Sequence, residues 1–205
     1  MYLSQLSLSP SSPSVYQAIR NCHDMHRNLM KAFNCTRDDA KLLYRIVESN
    51  QDHLYYIYTQ SVAFPQWDQI EQYGYHCIET KDISLLLQKF RTNMILRYSM
   101  FVFPSKKIKK GNKNSQRVFL TNEGERLEWM HRQAQKNGFI LLETHEASNQ
   151  QLFCKKKNNE SFSLHGVTYE GVLQINNLEL FKHGFLNGIG SEKAYGFGMM
   201  MLSKV

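Results

Sequence analysis

The stretch YLSQLSLSPSSPSVYQAIRNCHDMHRNLMKAF, Tyr2–Phe33, changes its hydrophobic period once, and that change decides the fold. Over Tyr2–Leu8, Tyr2, Ser4, Leu6 and Leu8 alternate with Leu3, Gln5 and Ser7, the period of two expected of a strand. The SPSSPS run that follows is a turn. From Val15 the spacing becomes helical, with a break near Asn21. Beyond it, Cys22, Met25, Leu29 and Phe33 recur at three-to-four spacing and form a core-facing stripe.

Outward from this strand–helix pair the pattern completes a unit and then repeats. Leu42–Val47 and Leu54–Val62 are aromatic and β-branched, with Ser49, Asn50, Gln51 and Asp52 between them, a hairpin signature. Pro65–Tyr75 is irregular, and Tyr75–Glu79 reads as a further strand. Then come a strand in Phe90–Phe103, a basic loop over Pro104–Arg117 and a helix over Glu125–Asn137 with Gly138 placed to cap it. A strand Phe139–Leu142, a basic turn Gln151–Glu160 and a long strand Phe162–Ile175 follow. A short helix Asn177–Leu186 and a last strand Tyr195–Leu202 close the chain. Two successive mixed units imply an α+β protein of tandem ferredoxin-like (RRM-like) domains with antiparallel sheets, residues 1–85 and 86–205.

Twenty-five Lys and Arg stand against 18 acids among 205 residues, a formal charge of +7. A basic chain suggests a polyanionic partner, nucleic acid or membrane surface. No apolar run approaches a membrane span, and MYLSQLSLSP lacks the features of a secretory signal. Cys22, Cys35, Cys77 and Cys154 form no CxxC pair and read as reduced thiols of a cytoplasmic protein.

The chemistry concentrates on NCHDMHRNLMKAF, Asn21–Phe33. Opposite the apolar stripe, His23, Arg27 and Lys31 recur at i, i+4 and i+8, and His26 lies between the two faces. Two imidazoles beside two cations suit a phosphodiester. Cutting RNA without a metal takes a base for the 2′-hydroxyl, an acid for the 5′-oxygen and positive charge for the intermediate. The same spacing also fits two half-exposed histidines on a solvated face. Cys22, His23 and His26 point in different directions and no fourth ligand is near in sequence, so no metal or cofactor is expected. The tail GFLNGIGSEKAYGFGMMM, Gly184–Met201, holds five of the 11 glycines. Its glycines follow a helix and precede a strand, the reverse of a dinucleotide fingerprint. A flexible loop that admits an RNA backbone, or tight turns between packed elements, remain as readings. Ser105–Arg117 carries six Lys/Arg and Cys154–Glu160 carries Lys155, Lys156 and Lys157, surfaces suited to phosphates or to water. Arg126, Arg132 and Lys136 lie on the helix Glu125–Asn137.

Several of these stretches together resemble the CasE family of CRISPR-associated endoribonucleases. They are the M-H-R-x-L-x-K-A core at Met25–Ala32, Thr59–Trp67 with its Pro-x-Trp, LEWMHRQAQKNGF at Leu127–Phe139, Gly171–Ile175 and Asn187–Gly198. The resemblance spans nearly the whole chain. It implies tandem ferredoxin-like domains and a CRISPR repeat stem-loop as substrate. It further implies a 2′,3′-cyclic phosphate product and retention of that product as a subunit of the Cascade complex, beside other Cascade subunits. It assigns catalysis to His26 with support from Lys31. Where the family commonly has Tyr, this chain has His23, which can replace it as acid or base. RNA contacts are expected from Arg27, Arg126, Arg132, Lys136, Lys155, Lys156, Lys157, Gly188, Gly190 and Lys193. The main alternative is a non-catalytic RNA-binding subunit of the same fold. A general RRM module is disfavoured because its aromatic signature is absent.

Overall fold

The computed structural model of the chain describes residues 1–49, 54–110, 114–156 and 160–205. The first half folds as β1 (Tyr2–Leu8), α1 (Pro13–Arg20), α2 (Cys22–Met30), α3 (Arg37–Ala40), β2 (Leu43–Glu48), β3 (Tyr55–Ser61), α4 (Asp68–Glu71) and β4 (Tyr75–Asp82). Its antiparallel sheet has the order β2-β3-β1-β4. The second half comprises α5 (Leu86–Lys89), β5 (Ile95–Val102), β6 (Ser105–Lys110), β7 (Asn114–Phe119), α6 (Glu123–Lys136), β8 (Phe139–Lys155), β9 (Ser161–Ile175), α7 (Leu178–Asn187) and β10 (Met200–Lys204). A 3-10 turn occupies Lys193–Tyr195. Its main sheet runs β10-β5-β9-β8, and β6 and β7 pair as a separate hairpin. Leaving that hairpin aside, both sheets place the last strand beside the first and the third inside the second. This is the ferredoxin-like order, twice.

The alternation read at the N-terminus is realised: Ser4, Leu6 and Leu8 are buried, and the expected stripe Cys22, Met25, Leu29 and Phe33 is buried with them. Met25, Leu29 and Phe33 pack on Leu6, Leu8, Tyr44, Ile57 and Tyr75 of the first sheet. The second core gathers Trp129, Met130, Phe139, Tyr169, Phe181 and Met200, and Ile83 and Leu86 pack against it. The division expected at residues 85 and 86 lies between β4 and β5. The turn residues Asn50, Gln51 and Asp52 lie outside the described residues; Ser49 N–H donates to Leu54 O at 2.8 Å on either side of them.

Four readings need correction. The basic loop Pro104–Arg117 is largely the β6–β7 hairpin, with Lys107 opposite Arg117. A hairpin held by backbone bonds and exposed on its surface carries no apolar cadence to announce it. Strand β8 runs 17 residues, far beyond Leu142 and into the expected basic turn. The last strand begins at Met200, not Tyr195. Cys22 and Cys154 are joined in a disulfide with Cα atoms 5.2 Å apart, while Cys35 and Cys77 are free and exposed. A separation of 132 residues leaves no local spacing from which that pairing could be read.

The disulfide is one of several ties between the halves. Cys22 and Cys154 sit in a small apolar cluster with Phe101, Phe103, Leu164 and Phe197. Arg45 Nη1 donates to Ser99 Oγ at 2.6 Å, and Gln60 Nε2 donates to Phe185 O at 2.8 Å.

Candidate active site

Asn21 ends one helix and starts the next. Its N–H closes α1 on Ala18 O at 3.2 Å, and its Oδ1 accepts from His23 N–H at 3.2 Å as the N-cap of α2. The same side chain grips β8: Oδ1 accepts from Lys155 N–H at 2.9 Å and Nδ2 donates to Lys155 O at 3.0 Å. With the adjacent disulfide, these bonds fix the first turn of α2 against the second half of the molecule. His23 and His26 occupy that fixed turn and the next.

Both imidazoles are half-buried, and each Nδ1 is out of solvent with no hydrogen-bond partner among the described residues. Burial, then the charge of Arg37, then His23, push the pKa of His26 down to about 4. His26 is therefore neutral near pH 7, in the form that accepts a proton. From the glycine-rich tail, the Tyr195 ring comes within 6.5 Å of His23, centroid to centroid, and stacks edge-on against Phe162 at 5.8 Å. Tyr44 OH donates to Ala194 O at 3.2 Å and anchors this turn to the first sheet. Lys193, half-buried beside it, is held below the usual lysine range by burial and by Arg37. The site thus assembles two imidazoles, a phenol and two cations from α2, α3 and the glycine-rich tail.

The expected residues separate clearly in this geometry. Lys31 caps α2 and places Nζ 4.0 Å over the Tyr73 ring, so the side-chain cation acting on His26 is Arg37 and not Lys31. Arg27 pairs with Asp24 at 2.8 Å at the surface. Arg126 is a correction: it is 8% exposed and forks onto Glu146 at 2.8 and 2.7 Å. It also donates to Leu120 O and Thr121 O, and Tyr169 OH donates to Glu146 Oε1 at 2.8 Å. Burial raises the Glu146 carboxyl, but the bonds from Arg126 and Tyr169 outweigh it and hold it below its ordinary value. The bonds of Arg126 engage four of its five N–H groups, and burial keeps the guanidinium from a phosphate. Arg132 and Lys136 are exposed, Arg132 with Glu128 at 3.6 Å. Lys155 and Lys156 are exposed beside the α2 N-terminus, Lys156 with Glu160 at 3.2 Å; Lys157 lies outside the described residues.

Gly188 is buried at φ 73°, and a Cβ there would stand 2.8 Å from Leu43 Cδ2. Gly190, at φ 86°, lies against the Trp129 ring, 3.2 Å from where its Cβ would be. Gly188 thus packs against the first half and Gly190 within the second, so each has a packing role. Sequence reasoning missed Arg37 and Tyr195. Tyr195 stood inside the matched tail motif; Arg37, in TRDDA, carried no signal. Among the described residues no three His, Cys, Asp or Glu side chains cluster as metal ligands, and no helix is long and apolar enough to cross a membrane.

The chain is thus a double ferredoxin-like protein with a desolvated histidine on α2. The family model described as "CRISPR associated protein" matches residues 1–204, and the chain belongs to that family, as its CasE-like motifs indicated. The CRISPR-associated endoribonuclease Cse3 of Thermus thermophilus is 24% identical, over 99% of this chain and 100% of that protein. A structure of Cse3 bound to a 19 nt RNA superposes with a TM-score of 0.87 at 23% identity, covering 99% of this chain and 100% of that one. A chain of a CRISPR RNA-guided surveillance complex, pre-nicking, gives 0.76 at 23% identity over the full length of both. These likenesses establish the fold.

Proposed function

We propose that this chain is a metal-independent endoribonuclease that binds a CRISPR repeat stem-loop and cuts precursor CRISPR RNA. It then keeps the product as a subunit of a cytoplasmic Cascade complex. The observation that carries the reading is His26: a neutral imidazole with an unpartnered Nδ1, next to cations, in a member of the CRISPR-associated family. His26 takes the proton of the 2′-hydroxyl. The freed oxygen attacks the adjacent phosphorus, and the bond to the 5′-oxygen breaks to leave a 2′,3′-cyclic phosphate. His23, one turn away and facing Tyr195, returns a proton to the leaving 5′-oxygen. Lys193 offsets the negative charge that builds on the phosphoryl oxygens. The proposed domains are residues 1–85, which carry the histidine helix, and 86–205, which carry the hairpin, the basic end of β8 and the glycine-rich turn. Exposed Lys155 and Lys156 supply further phosphate contacts.

The test is cleavage of a repeat hairpin in EDTA, beside the same RNA with a single 2′-deoxy nucleotide at the cut. Cutting is expected for the first RNA, and binding without cutting for the second. Loss of activity in EDTA that Mg²⁺ restores, or continued cutting of the deoxy RNA, would overturn the mechanism. Binding of both RNAs with cutting of neither would leave the non-catalytic subunit.

A further inference from the structure

Between α3 with the residues that follow it and the start of the glycine-rich turn lies a cleft of about 440 Å³, of whose cations the proposed chemistry uses only Lys193. Arg37, Asp38 and Lys41 line it from α3, and Asn187 and Lys193 line it from the end of α7 and the turn beyond. Three cations face one acid. None of Arg37, Lys41 and Lys193 forms a side-chain hydrogen bond or salt bridge among the described residues. Elsewhere the basic side chains are more often engaged: Arg27, Lys81, Lys106, Arg126, Arg132, Lys156 and Lys182 all have carboxylate partners. Lys193 is also half-buried, so its ammonium gives up water without gaining a counter-charge. Lys41 adopts φ 47°, a left-handed conformation in which glycine is the unstrained choice. A cation is kept there despite the backbone.

We propose that the Arg37–Lys41–Lys193 cleft is a phosphate-binding subsite that holds the RNA backbone near the linkage whose 2′-hydroxyl His26 deprotonates. The proposal rests on the ribonuclease reading above. Its chemistry is that of a phosphodiester: guanidinium and ammonium groups line one opening together with Asn187, and the apolar part of the lining is aliphatic, Leu42 and Leu43, with no aromatic ring for a base to stack on. It also answers a deficit in the site. With Lys31 turned onto Tyr73, charge beside His26 has to come from elsewhere, and Arg37 acts on both His26 and Lys193. A phosphate seated between Arg37 and Lys193 would relieve the repulsion of those two cations and align the neighbouring linkage.

The experiment is methylphosphonate scanning. Single neutral linkages are placed at each position within a few nucleotides of the cut in a 2′-deoxy-blocked repeat hairpin. Binding is measured for the wild-type chain and for an Arg37→Gln/Lys41→Gly double variant. Both substituted side chains are exposed, and glycine suits the backbone at position 41, so the variant keeps the fold. At about 0.1–0.2 M salt the variant is expected to bind roughly tenfold more weakly, with a salt slope lower by about 1–2. One neutral linkage beside the cut should weaken the wild-type complex severalfold and leave the variant's affinity unchanged. Wild-type affinity and slope in the variant, or equal sensitivity of both proteins at every linkage, overturns the subsite. Because the readout is binding, a wild-type chain that binds unmodified hairpin without cutting it sinks the ribonuclease reading alone, and the subsite is still decided by the scan.

Discussion

Helices α2 and α6 follow the first main-sheet strand of their respective halves, and both are amphipathic with basic and polar outer faces, yet they treat their polar groups in different ways. On α6 two basic residues meet carboxylates, one in the interior and one at the surface. Arg126 is buried in a fork with Glu146, and Arg132 reaches Glu128. On α2 Arg27 is paired with Asp24, but His23 and His26 keep buried nitrogens without partners among the described residues, and His26 is stripped of water under the charge of Arg37. A basic residue on a helix is thus no sign of a site until its partners are known. A polar atom left unsatisfied in a packed structure is a stronger sign, since leaving it so costs about 1–3 kcal/mol.

The largest expected effect sharpens this contrast from the α2 side. His26→Ala should lower the single-turnover cleavage rate by about 10²–10⁴ and leave RNA affinity nearly unchanged. If His23 is the acid, His23→Ala should cost as much, and the double variant should lose less than the sum of the two. A neutral or faster His23→Tyr enzyme would instead make His23 a positioning residue.

From the α6 side, Arg126→Ala should destabilise the chain by about 3–5 kcal/mol in urea unfolding, because Glu146 is left buried and uncompensated. RNA affinity measured below the unfolding transition should not change. A variant of full stability and weakened RNA binding would break the comparison.

A third test uses the depressed pKa. With a folded-state pKa of about 4 against an ordinary 6.5, His26 is the base form throughout the intervening range. The acid limb of kcat/KM, which reports the free protein, should therefore fall only as pH drops through about 4. A limb near 6.5 would mean that His26 is solvated in solution. The smallest effect is Arg132→Ala, whose exposed i,i+4 pair should change stability by no more than about 0.5 kcal/mol.

Part of this architecture was legible because it depends on periodicity. Tyr2–Leu8 and Cys22–Phe33 bury the residues their spacing selects, since one face of each element has one apolar neighbour to meet. Strand β8 escaped the same logic. Its inward positions include Thr144, Glu146 and Ser148, polar residues satisfied by Tyr98, Arg126 and Thr168 from other strands and helices. An inner face made polar by distant partners has no apolar rhythm. One internal ion pair therefore hid half a strand and, at its other end, made Arg126 look available to RNA.

The candidate site divides along the same line. The sequence alone determined the double α+β unit, the family and the placement of two histidines on one helix, because these depend on local spacing and motif. The tertiary structure alone decided which cation stands beside His26 and which groups remain unpaired. It also joined Cys22 to Cys154 and brought Arg37 and Lys193 to one cleft. The disulfide and the cleft join segments more than a hundred residues apart, and pairing, burial and desolvation come into existence only when the chain closes on itself.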